Sequence, residues 1–198
     1  MKRVKKYLIL AFSCIVSFGC LLLPMNIYAA EINNGILETY IYEDGTKIEI
    51  LTYEKYISDI ANIKNLNISE TEDIVNQETS EGNIKIVPYS YQLKYARVTK
   101  AYNFYEGNVS SGSSPTDIVC GVYASYYVDS SNWQLRYWNA INSTFIEPGY
   151  HLQNLQIYSN YATIISNLRI DQHVSFRVSL DTPYESSRTW TKDHSFYL

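Results

Sequence analysis

The chain has 198 residues, 46% of them hydrophobic and 15% aromatic, with 16 Lys and Arg against 20 Asp and Glu for a formal charge of -4. This length suits one core-bearing domain, alone or with a smaller attachment. No run of Lys or Arg is present to neutralise several phosphates at once, which excludes nucleic acid as a partner.

Lys2, Arg3, Lys5 and Lys6 precede an apolar run over residues 7–23, followed by Pro24 and a small-residue exit at Ala29 and Ala30. A basic start, a short apolar stretch and a small-residue exit read as a secretory signal peptide over residues 1–30. This predicts a secreted or extracellular protein, including one held at a cell surface, with no stable membrane anchor after cleavage. Two other readings share the segment. The run is close to the roughly 17 apolar residues of a short spanning helix, which would make it an uncleaved anchor. Cys20 after Gly19 suggests lipidation, although Phe18 is bulky and Leu21, Leu22 and Leu23 continue the apolar run. Pro24 and the alanine pair favour cleavage.

Residues 1–30 hold four basic and no acidic side chains, so their removal moves the formal charge from -4 to -8. All of that charge falls in residues 31–88, where 12 acidic residues meet 4 basic ones, while residues 89–198 carry 8 of each.

Residues 36–42 and 46–51 flank Asp44 and Gly45, a pair that tolerates positive φ, and predict a small hairpin. Tyr53, Tyr56, Ile57, Ile60, Ala61 and Lys64 recur at helical spacing behind a capping Thr52, predicting a short amphipathic helix that completes a unit over residues 31–69. Residues 70–83 are acidic and poor in strong apolar residues, which reads as a linker because burial there does not offset ordering entropy. Residues 31–88 read either as an edge decoration of the body or as a removable pro-region.

The remaining stretch, 84–198, reads as one β-rich domain. Short or alternating segments at 84–87, 91–100, 118–128, 133–140, 173–180 and 189–198 predict strands separated by Gly, Ser, Asn and Pro turns. The segment 118–128 is apolar or aromatic on both faces, as expected of an interior strand between two packed layers. Residues 150–165 admit a weak strand or a short helix. The fold class is therefore mainly β: an antiparallel two-layer β-sandwich or barrel-like sheet, with a small N-terminal hairpin plus a short helix.

Chemical signatures are sparse. Cys120 is the one cysteine beyond the leader, among Ile118, Val119 and Val122, and reads as a core thiol. Asp171 with His173, and Asp193 beside His194, supply too few ligands for a zinc site, so neither a metal nor a cofactor is assigned. Eight scattered carboxylates in the body select no catalytic pair, and no nucleophile elbow, phosphate loop or dinucleotide fingerprint occurs.

Aromatic content is the positive signal: 20 Tyr and 3 Trp. Trp133, Tyr137, Trp138 and Trp190 are the candidate surface aromatics, with Trp133 and Tyr137 on one strand face and Trp138 on the other. They predict a non-catalytic binding or interaction module for an extracellular protein or a cell-wall glycan. The alternatives are a membrane-active, bacteriocin-like toxin with amphipathic strands and an extracellular hydrolase.

Overall fold

The computed structural model describes residues 34–84, 90–131, 136–181 and 186–198. The leader read at residues 1–30, most of the strand expected at 84–87, and Trp133 lie outside them.

The predicted hairpin forms from β1 (Ile36–Ile41) and β2 (Thr46–Leu51). Gly45 turns the chain at φ 80°, and Asp44 accepts a hydrogen bond from the Thr46 amide at 2.9 Å. The predicted helix is α1 (Tyr53–Lys64), capped by Thr52, whose hydroxyl accepts from the Lys55 amide at 3.3 Å. Its buried face is Tyr56, Ile57, Ile60 and Ala61.

The acidic linker expected over residues 70–83 is instead mostly helical, as α2 (Ile68–Ser80). Asn67 caps it by accepting from the Glu70 amide at 2.8 Å, and Val75 is fully buried against the first helix and the sheet. Two asparagines complete the anchorage. Asn139 donates to the Thr79 carbonyl at 2.8 Å, while Asn142 donates to Glu78 at 2.8 Å and accepts from the Tyr56 hydroxyl at 2.6 Å. Capping and polar anchorage from a distant strand replace the apolar burial that the composition lacks.

Seven further strands follow: β3 (Tyr91–Asn103), β4 (Val109–Ser110), β5 (Asp117–Asp129), β6 (Arg136–Pro148), β7 (Leu152–Ser166), β8 (Arg169–Leu180) and β9 (Ser187–Tyr197). They form two antiparallel sheets, one ordered β1-β2-β3-β5-β6 with β4 beside β3, the other β7-β8-β9. The hairpin is built into the body, since β2 pairs with β3 from Thr46 opposite Lys100 to Leu51 opposite Tyr95.

Three layers result. On one face of the large sheet, Val98, Val122, Ala124, Tyr126 and Trp138 pack with Ile170 and Phe196 of the small sheet. Farther along, Ile118, Cys120 and Ile146 meet Val174, Phe176 and Val178. On the opposite face, Leu51, Tyr123 and Phe145 lie under Tyr56, Ile57, Ile60 and Val75 of the helices. Strand β5 is thus covered from both sides, in the interior position its two apolar faces predicted. The sheets are tied along β6, where the Trp138 amide donates to the Asn167 carbonyl at 2.7 Å and Thr144 to the Asn160 carbonyl at 3.2 Å. Among the described residues no helix is long and apolar enough to cross a membrane, which leaves strand-based crossing unaddressed.

Gly121 is required by this packing. A Cβ there would stand 2.5 Å from the Val98 carbonyl oxygen and 2.6 Å from the Phe145 ring. Gly121→Ala is therefore expected to destabilise the fold by about 1–3 kcal/mol, read as a lower urea midpoint with an unchanged slope.

Candidate functional site

Of the aromatics singled out in the sequence, the three among the described residues do not share a surface. Trp138 is fully buried and packs edge-on against Tyr126, with ring centroids 5.7 Å apart, so it belongs to the core rather than to a binding surface. Tyr137 is half-buried and stacks on Tyr91 at 5.8 Å. Trp190 is partly buried against the second half of the core, near Gly107, with the Lys192 ammonium 5.2 Å over its ring. Trp133 lies outside the described residues. Exposed aromatics are found elsewhere, among them Tyr158 and Tyr161 on β7 and Tyr197 on β9.

The outer face of the small sheet gathers one of them into a polar groove. Alternation along β8 turns Ile170, Gln172, Val174, Phe176, Val178 and Leu180 inward and sends Asp171, His173, Ser175 and Arg177 outward. Register then builds cross-strand rows: Tyr161, His173 and Asp193 form one, and Thr163, Asp171 and Ser195 the next. These residues line a groove of about 500 Å³.

Its geometry is pre-set. The Tyr161 and His173 rings stack with centroids 5.1 Å apart and planes inclined by 25°. His173 Nδ1 lies 2.6 Å from Asp193 Oδ1. Arg169 donates to Asp171 through Nε at 2.6 Å and Nη2 at 2.5 Å, and Ser195 donates to the same carboxylate at 2.6 Å. The Arg169 hydrogen bond, with help from Ser195, holds the Asp171 carboxyl below its ordinary value.

A serine, a histidine and two aspartates in one groove invite comparison with a hydrolytic triad. The hydrogen bonds are arranged differently. Ser195 donates its hydroxyl hydrogen bond to Asp171, a carboxylate weakened as a base by Arg169, while His173 is engaged with Asp193. The arrangement presents fixed donors, acceptors and an aromatic face to solvent.

Asp171 and His173 lie on the same outward face of β8, and each takes a protein partner. Among the described residues no three His, Cys, Asp or Glu converge as a metal site. Cys120 is buried, and burial pushes its thiol up to about 12, the behaviour of a structural cysteine rather than of a nucleophile.

A second groove, of about 360 Å³, lies between α1 and the large sheet. Arg97 there donates to Glu49 at 2.9 Å and to Glu147 at 2.6 Å, and its guanidinium stands 4.9 Å from the Phe145 ring centroid. Asp59 accepts from Lys55 at 2.5 Å and from the Tyr123 hydroxyl at 3.1 Å. Burial pushes the Glu49 carboxyl up, but contacts with Lys47 and Arg97 outweigh it and hold the group below its ordinary value, opposite to what a general acid requires. The ion pairs here lie within the sheet or within the helix, and the Tyr123 hydroxyl bonded to Asp59 links the two.

The sequence reading missed Tyr161 because the strand carrying it has three register shifts, at Gln153/Gln156, Ile157/Ser159 and Ile164/Ser166. The surviving signal was the alternation of Tyr161, Thr163 and Ile165 opposite a well-patterned β8.

No protein-family model, no curated protein and no solved structure matches this chain.

Proposed function

We propose that the protein is an exported binding module that recognises a glycan on the outer face of its three-stranded sheet. The observation that carries this reading is Tyr161, 59% exposed and stacked on His173 at a groove floored by the Arg169–Asp171 and His173–Asp193 pairs. A sugar ring has an apolar face to lay on an aromatic ring and an equatorial belt of hydroxyls to bond with planar polar side chains. A protein partner fits this floor less well, because the centre of a protein interface is depleted of charge whereas the floor here holds four ionisable side chains. Export follows from the amino-terminal leader, and cell-wall glycan is the polymer such a protein meets.

Chitotetraose is a suitable neutral probe for calorimetric titration. Tyr161→Ala is expected to weaken its binding about tenfold, the equivalent of about 1.4 kcal/mol of aromatic contact. The side chain is exposed, so the melting temperature should hardly move. Equal affinity of the variant and the parent, or no binding by the parent, overturns the reading.

A further inference from the structure

We infer that the other end of the same sheet face is an anion subsite, so that the ligand is a glycan carrying a carboxylate, bound in a single direction along the strands; this rests on the glycan-binding reading above. A groove of about 360 Å³ lies there, lined by Gln153, Asn154, Gln156, Arg177, Ser179 and Ser187. Among the described residues its lining holds one cation and no carboxylate.

The backbone of β7 is distorted at this groove. Gln153 pairs with Ser179 and Gln156 with Arg177, so β7 spends one more residue than β8 between the two pairs. Asn154 absorbs the extra residue at φ 58°, a left-handed conformation that asparagine tolerates better than most side chains. In a regular strand Gln153 and Gln156 would face opposite sides. The bulge puts both opposite outward-facing partners, so two amides border one guanidinium. Amides recognise the N-acetyl groups of amino sugars donor to acceptor, and the planar guanidinium recognises a carboxylate through paired N–H groups. Arg177 is oriented for this by donating from Nη2 to Ser187 Oγ at 2.9 Å.

Charge gives the ligand its direction. The Tyr161 groove sets two carboxylates, Asp171 and Asp193, against the single guanidinium of Arg169, which is already engaged by Asp171, so that end disfavours an anion, while the carboxylate is drawn to Arg177. Arg177 stands four positions beyond His173 on β8, roughly 13 Å along the strand. Between them runs a hydroxyl row in which Ser175 and Thr191 lie 3.2 Å apart. One sugar ring does not reach both ends; a short chain does.

The test compares two probes with the same backbone: chitotetraose, and a tetrasaccharide alternating N-acetylglucosamine with N-acetylmuramic acid, stem peptides removed. The parent protein is expected to bind the carboxylated chain about tenfold more tightly, with the preference shrinking as salt rises. Arg177→Gln should bring the two affinities to within about twofold of each other, and Arg177→Lys should keep part of the preference because it keeps the charge without the planar fork. Equal affinities in the parent, or a preference that survives Arg177→Gln, overturns the subsite. If Tyr161-dependent chitotetraose binding is then still seen, the glycan-binding reading stands without it. If neither chain binds, both fall.

Discussion

Trp138→Ala is expected to cost about 3–5 kcal/mol, a large share of the roughly 5–15 kcal/mol that holds an ordinary domain folded. The indole is fully buried between the sheets and packed with Tyr126, and its own amide bonds the Asn167 carbonyl. Truncation removes apolar area and leaves a cavity that the surrounding strands, tied by their ladders, fill only in part. Urea unfolding checks this through the midpoint. Trp138→Phe keeps an aromatic ring against Tyr126 and should lose only about 1–2 kcal/mol. A loss under about 0.5 kcal/mol for the alanine variant would instead place Trp138 on the surface, as its sequence context suggested.

Acidification should weaken the fold well before the carboxylates titrate, because of His194. This side chain is buried between the sheets, with Nε2 2.8 Å from Gln172 Oε1 and Nδ1 3.3 Å from the Tyr102 hydroxyl. Gln172 in turn donates to the Gly121 carbonyl at 3.0 Å and to Asn160 at 2.9 Å, linking both sheets through one amide. Burial, aided by the Lys100 charge and opposed by Asp193, pushes the imidazole down to about 4 from an ordinary 6.5. The unfolded chain therefore takes up the proton first as pH falls. Its contribution is complete above pH 6.5 and is progressively lost down to about 4, to a total of about 3 kcal/mol. Urea midpoints measured across that window should fall accordingly, and the His194 ring should titrate by NMR with a midpoint near 4. A midpoint near 6.5 would falsify the account.

Strand β8 was legible because one face meets a core and the other meets water, so its polarity alternates residue by residue. The turn at Asp44 and Gly45 and the Thr52 cap were legible for a similar reason: each depends on residues adjacent in the chain. Two elements were not legible. Residues 68–80 carry few apolar side chains, and their helix is held by Asn139 and Asn142, about sixty residues away in sequence. Strand β7 loses its period because three bulges each move later side chains to the other face, so residues 150–165 read as strand or helix alike.

The candidate site shows the same division. Trp133, Tyr137, Trp138 and Trp190 are conspicuous by residue type, yet a strand pattern assigns side chains to two faces without saying which face a second layer will cover. For Trp138 the small sheet covers it; for Tyr161 nothing among the described residues does. By itself the sequence determined the antiparallel β class, the hairpin and capped helix at the front, and the two-faced character of β8, all of which follow from local periodicity and turn chemistry. Only the tertiary structure decided which aromatics are core and which are surface, and which polar residues of β7, β8 and β9 stand in one row. Those outcomes depend on pairing register and layer packing between segments far apart in the chain, where a shift of one residue exchanges inside for outside.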